Sequence, residues 1–324
     1  MNGSGPDIGS GAHGTFLNGT WERAGRSPGA AAIVILLAVG ILYFNAQSIL
    51  GAVAVLAFKP AGVGDLTAPF SEQMVDVLRK SADPLRAIVA FTQYMFLLVP
   101  AWLLVRRWHS RNVSTYVRLR RLPFLETVLA VLTTLAFIPA GTFIANELTR
   151  QINPPEWLEQ INAVLFTARS DPEFLWLVFV VAFTPAVCEE IFFRGIVQRS
   201  LERVIGWKSV ILVGFIFGLF HMQPLGLVSL SILGMLFGYF FFRSRSLLPS
   251  MAAHAANNLL AIALMYQMPT LEGIDLSSSD QIPLSWVLIS APIGIALLLT
   301  YHKVTEPIQQ LPDDLKAVAS APTP

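Results

Sequence analysis

The sequence predicts an all-α fold, a polytopic membrane helix bundle of about eight transmembrane helices. Composition, the spacing of apolar stretches and the sign of the charges between them lead to this reading. Of 324 residues, 54% are hydrophobic and 13% charged, with a mean hydropathy of +0.60, whereas an ordinary soluble domain is roughly 25% charged. A spanning helix needs about 20 mostly apolar residues. Eight such stretches lie near 30–57, 87–105, 124–145, 172–198, 208–222, 225–242, 247–266 and 283–301. The first is interrupted by Asn45 and Gln47 and reads as a tilted or broken helix. It is too long for the apolar core of a signal peptide and is taken as a retained span.

The connection after the second span carries Arg106, Arg107, Arg111, Arg118, Arg120 and Arg121, which the positive-inside rule places in the cytoplasm. Alternation then puts Arg23 and Arg26, the Arg199/Arg203/Lys208 turn, the Arg243/Arg245 turn and Lys303 on the same side, and all are basic. The opposite loops hold Glu147, Glu156, Glu159 and Asp171, and Glu272, Asp275 and Asp280. Both termini are expected in the cytoplasm. The chain divides into a polar N-terminal segment (1–28), a first group of membrane helices (29–170), a helical core that holds the chemistry (171–266), a last membrane helix (267–304) and a tail expected to be disordered (305–324).

A net charge of +1 and the lack of a basic stripe interleaved with aromatics give no reason to expect nucleic-acid binding. Cys188 is the only cysteine, so neither an intrachain disulfide nor a thiolate metal site can be built. No internal repeat or inverted pair of broken spans of the transporter kind is visible.

Ionisable residues at depth are confined to the second half: Glu189, Glu190, Arg194, His221 and His254. A charge near the bilayer centre costs about 2.5–3.5 kcal/mol on insertion scales, so such residues are usually kept for a task. Glu190 and Arg194 are four apart, on one helix face, and can pair. Glu189 is rotated by about 100° and is left without an in-helix partner, in position for general-base work. The plainer alternative is that both glutamates only stitch helices together. With a turn at Gly206, Glu189 lies 17 residues before it and His221 15 after, so an antiparallel hairpin sets them at nearly one height. Phe217 stands one turn before His221. His254 and Asn258, four apart, share a face, and His254 enters from Arg245 to roughly 14 Å, a comparable depth.

Gly214/Gly218 and Gly234/Gly238 form GxxxG patterns that allow close helix approach and read as plain packing. A Cys188/His/Asn nucleophilic set is disfavoured, because residue 188 points about 100° away from residue 189. HExxH and GxSxG are absent, and no aspartate lies between Asp171 and Asp275, so those protease classes are disfavoured.

The ordered set EExxxR (Glu189, Glu190, Arg194), FxxxH (Phe217, His221) and HxxxN (His254, Asn258) resembles the three signature motifs of the type II CAAX prenyl endopeptidase and bacteriocin-processing family, also called Abi or CPBP. The resemblance covers roughly residues 170 to 266. It implies a glutamate-type intramembrane peptidase with an eight-span core and a cavity open to the cytoplasm. By that resemblance Glu189 with His221 activates a water, His254 and Asn258 stabilise the oxyanion, and Glu190, Arg194 and Phe217 give structural support.

The same side chains Glu189, His221 and His254 also make a His/His/Glu set of the kind that holds catalytic zinc. The expected cofactor is thus none or one zinc ion, with metal-free chemistry favoured because asparagine is a poor zinc ligand and a good oxyanion donor. A non-catalytic membrane scaffold and a proton-coupled transporter are the alternatives from other classes. Expected partners are the lipid bilayer and a peptide or protein substrate at the membrane, prenylated or not. A prokaryotic plasma (inner) membrane is the expected location, and the oligomeric state is left open.

Overall fold

The computed structural model describes residues 16–57, 77–120, 123–152, 165–267 and 282–310. Residues 1–15, Arg121, Glu156, Glu159, Glu272, Asp275, Asp280 and the tail from 311 lie outside the described residues. All regular elements among the described residues are helical. In chain order they are α1 (Thr20–Arg23), α2 (Pro28–Ala57), α3 (Ala82–Trp108), α4 (Val113–Tyr116), α5 (Phe124–Ile152), α6 (Asp171–Ile205), α7 (Lys208–Phe220), α8 (Leu227–Ser244), α9 (Leu248–Gln267) and α10 (Leu284–Gln310).

Seven of these, α2, α3, α5, α6, α8, α9 and α10, are long and apolar enough to cross a membrane, and the protein is an integral membrane helix bundle. The eighth expected span differs: α7 has 13 residues, about 20 Å of rise where a bilayer core is about 30 Å thick. It stops at Phe220 because Met222 takes a left-handed conformation (φ 52°) and Pro224 follows. Two further expectations are corrected. Asn45 does not break α2, since its side chain donates back to the Ile41 carbonyl at 2.8 Å. Residues 305–310, assigned to the tail, are helical, because Thr305 is fully buried and accepts the Arg243 Nε–H at 3.0 Å.

The two larger of three apolar clusters among the described residues organise the bundle. Ile35 and Val39 of α2, Leu97 of α3, Phe192, Phe193 and Ile196 of α6 and Phe217 of α7 form the first. Leu129 and Ala130 of α5, Phe237 and Phe240 of α8, Ala253 of α9 and Tyr301 of α10 form the second. Between them α7 and α8 touch backbone to backbone. A Cβ on Gly214 would sit 2.5 Å from the Met235 nitrogen, and one on Gly234 2.7 Å from the Gly214 carbonyl oxygen.

Prolines shape α3 and α6. The π turns Gln93–Leu98 and Val178–Phe183 precede Pro100 and Pro185, where the ring removes one N–H and crowds the preceding turn. A third π turn, Ile191–Gln198, follows the glutamate pair directly.

The arginine-rich end is folded tightly. Glu202 receives two bonds from Arg118, at 2.8 and 2.9 Å, and also pairs with Arg245. Part of the N-terminal segment docks here as well. The Gly19 N–H donates to the His109 carbonyl at 2.9 Å, Trp21 stacks on Trp108, and Glu22 accepts from Arg203 at 2.5 and 2.9 Å and from His109 Nδ1 at 2.6 Å. Burial opposes the charge on Glu22, but the bonds from Arg203 and His109 outweigh it and bring the carboxyl down from 4.5 to about 2.

Two tests follow from this packing. Gly234→Ala should lower stability by about 1–3 kcal/mol, since the obstacle is backbone, read as a lower melting temperature in detergent. Because folding depresses the Glu22 pKa, its stabilisation is present above about 4.5 and is lost as pH falls toward 2. Glu22→Gln should therefore cost about 2 kcal/mol at neutral pH and flatten the acid limb of a melting-temperature profile between those values.

Candidate active site

The site begins with the α6 segment between two π turns, Thr184–Glu190. Glu190 and Arg194 are both fully buried and paired at 2.9 Å. The same Glu190 oxygen, Oε1, accepts the Nδ1–H of His254 from α9 at 2.8 Å. Arg194 also donates to the Gly234 carbonyl of α8 at 2.9 Å. Its guanidinium carbon lies 4.4 Å from the centre of the Phe217 ring and 5.5 Å from that of Phe237. Aromatic faces help a cation remain in an apolar setting. Phe217 also packs against the His221 ring, 4.6 Å between centroids.

Glu189 turns the other way. Its Oε1 accepts from Gln93 Nε2 of α3 at 3.1 Å. Its Oε2 is buried without a hydrogen-bond partner among the described residues and lies 3.9 Å from His221 Nε2. His221 Nδ1 is 2.8 Å from the Phe217 carbonyl. A carbonyl only accepts, so Nδ1 carries a proton, and in the neutral ring Nε2 faces Glu189 as the acceptor nitrogen. His221 is thus not inside a span but caps the end of α7, where the chain turns back toward α8.

Asn258 lies apart from this exchange. Its Nδ2 donates to the Val181 carbonyl at 2.9 Å, and its Oδ1 accepts from Asn257 at 3.0 Å. The α-helical partner of the Val181 carbonyl would be the N–H of residue 185, which is a proline and has none. Asn258 therefore completes a hydrogen bond that Pro185 leaves open, with one further N–H on its amide. Cys188 is packed in the first apolar cluster.

The sequence-expected residues come together in two parts. Glu189 meets His221, and Glu190 meets Arg194 and His254. Among the described residues no three or more His, Cys, Asp or Glu side chains are grouped to hold an ion, and His254 commits its Nδ1 to Glu190, leaving Nε2 free of that bond.

Two contributors escaped the sequence reading. Gln93 comes from the half assigned no chemistry, and its signal was a lone amide within AFTQYMFLL. Gln198 donates to the Gly238 carbonyl at 2.9 Å, a second rung beside Arg194→Gly234. The matching four-residue spacings of Arg194/Gln198 and Gly234/Gly238 were visible. The GxxxG of α8 thus serves polar recognition as well as packing.

Residues 171–260 match a family described as type II CAAX prenyl endopeptidase Rce1-like. This helical core is similar to that family over the matched residues. The Rce1-like segment starts with α6, ends within α9 and contains Glu189, Glu190, Arg194, Phe217, His221, His254 and Asn258, while Gln93 lies outside it. The description is that of an endopeptidase, and the match covers 171–260 of the 324 residues. No curated protein and no solved structure matches the chain.

The buried network gives a stability test. Arg194→Met removes the cation and leaves Glu190 with His254 alone, which should cost about 3–5 kcal/mol. Adding Glu190→Gln should recover part of the loss in a detergent melting experiment, because no buried charge is then stranded.

Proposed function

We propose that the protein is a membrane-embedded endopeptidase in which Glu189 and His221 activate water for attack on a peptide bond. The observation that carries this reading is the pairing of an unpartnered Glu189 Oε2 with His221 Nε2 at 3.9 Å, inside the Rce1-like segment. That separation is too long for a direct hydrogen bond, and one water can bridge it. Gln93 fixes the other carboxylate oxygen, so Oε2 is the basic atom.

Glu189 takes a proton from the water as its oxygen adds to the scissile carbonyl, and returns it to the amine as the C–N bond breaks. His221, held by Phe217, orients the water through Nε2. His254 and the remaining amide N–H of Asn258 are the proposed donors to the oxyanion, each worth about two orders of magnitude or more in rate when preorganised. With Nδ1–H committed to Glu190, His254 presents Nε2, a donor when the ring is imidazolium. The reaction is proposed to run without a metal.

The substrate is proposed to be a membrane-associated peptide with an apolar chain, of the prenylated CAAX type. A cavity of about 840 Å³ between α5, α7, α8 and α10, lined by residues such as Phe137, Leu230, Leu233 and Tyr239, supports this. Asn257 lines that cavity and donates to Asn258, which links the apolar volume to the site. The proposed setting is a prokaryotic plasma membrane with both termini in the cytoplasm.

Glu189→Gln should lower turnover in a membrane peptidase assay by about two orders of magnitude or more, with the melting temperature preserved. Unchanged turnover would sink the mechanism and favour a scaffold. Activity lost on exhaustive chelation and restored by zinc would overturn the metal-free form.

A further inference from the structure

The arginine-rich end of α3 borders a second pocket. The helix finishes in Arg106 and Arg107, and the chain turns through Arg111 into α4. A pocket of about 460 Å³ opens there, lined by Trp102, Arg106, Arg111, Asn112, Val113 and Ser114. Both arginines are exposed, and among the described residues neither has an acidic partner. The nearby carboxylates are committed: Glu22 to Arg203 and His109, and Glu202 to Arg118 and Arg245. The pocket is therefore positive, and among the described residues its charge has no acidic partner.

Its floor is fixed. Asn112 Oδ1 accepts from the Thr115 N–H at 3.2 Å and from the Ser114 hydroxyl at 2.8 Å, while the Arg111 N–H donates to Asn18 Oδ1 at 3.0 Å. Trp102 and Arg106, four apart, share one face of α3. Beside them on that helix, on the way into the bilayer, Leu103 is 57% and Val99 40% exposed. Charge at Arg106 thus gives way along a single helix to indole and aliphatic surface at Leu103, Trp102 and Val99, as a bilayer passes from phosphate to acyl chain.

We propose that this pocket binds the phosphate of an anionic phospholipid, with Arg106 and Arg111 on the phosphate, Trp102 at the interface and an acyl chain along Leu103 and Val99. Guanidinium groups match phosphate oxygens in geometry. Basic pockets beside membrane helices take anionic headgroups, and tryptophan prefers the headgroup level. The aliphatic strip favours a lipid over a soluble anion, which would leave it unused.

The test uses the full chain, delipidated in detergent, with phosphatidylglycerol, phosphatidylcholine or inorganic phosphate added, read by native mass spectrometry and thermal melting. Phosphatidylglycerol should stay bound and raise the melting temperature. Arg106→Gln with Arg111→Gln should weaken its retention roughly thirtyfold, the weight of two arginine contacts at an anionic surface. Arg107→Gln, outside the pocket, should leave retention unchanged. Should the double variant not fold, Ser114→Glu, which sets a carboxylate in the pocket wall, must show the same loss. Equal retention of phosphatidylcholine, equal stabilisation by inorganic phosphate, or undiminished phosphatidylglycerol binding by a folded pocket variant would each overturn the proposal.

Discussion

The structure depends on how the Glu190–Arg194 pair is kept charged out of contact with water. Two ions buried together recover more of their desolvation cost as more of their remaining hydrogen-bonding capacity is used. Here the carboxylate also accepts from His254 of α9 and the guanidinium also donates to the Gly234 carbonyl of α8, while Glu190 Oε2 and Arg194 Nε have no partner among the described residues. Phe217 of α7 covers the guanidinium. One ion pair thereby joins four helices, and each gains a fixed rotation toward the site. The close approach of α7 and α8 at Gly214 and Gly234 belongs to the same arrangement, since Gly234 both meets α7 and offers the carbonyl that Arg194 uses.

This division of labour explains why adjacent glutamates behave differently. Glu190 satisfies a structural cation, a histidine and, through Arg194, a backbone carbonyl. Glu189, about a quarter turn away, is held at one oxygen by Gln93 and leaves the other toward His221. The carboxylate that builds the scaffold and the one that faces the free imidazole nitrogen are separated by a single peptide unit. Precision at Glu189 is inherited from the rigidity of Glu190.

Much of this was legible in the residues. The four-residue spacing of Glu190 and Arg194 states their pairing, and counting from Gly206 sets Glu189 and His221 at one height, as their 3.9 Å separation bears out. The partner of His254 was not legible, because depth alone does not say which of two neighbouring carboxylates a ring will meet. Nor was the Asn258–Val181 bond, which arises from a proline four residues after the carbonyl it deprives. Gln93 was hidden for a different reason: helix order along a chain does not reveal which spans become neighbours, and a single amide in an apolar stretch gives no direction. The end of α7 was misjudged since hydropathy runs on through Met222 while the backbone has already turned.

That short helix has a consequence for the membrane itself. α7 rises about 20 Å from the arginine-rich end, roughly 10 Å less than the hydrocarbon thickness. Where a helix falls short, the bilayer thins locally or the following turn stands in a hydrated dent below the far surface. His221 is the first residue of that turn. By the same mismatch, a thicker bilayer is expected to submerge this histidine more deeply than a thinner one.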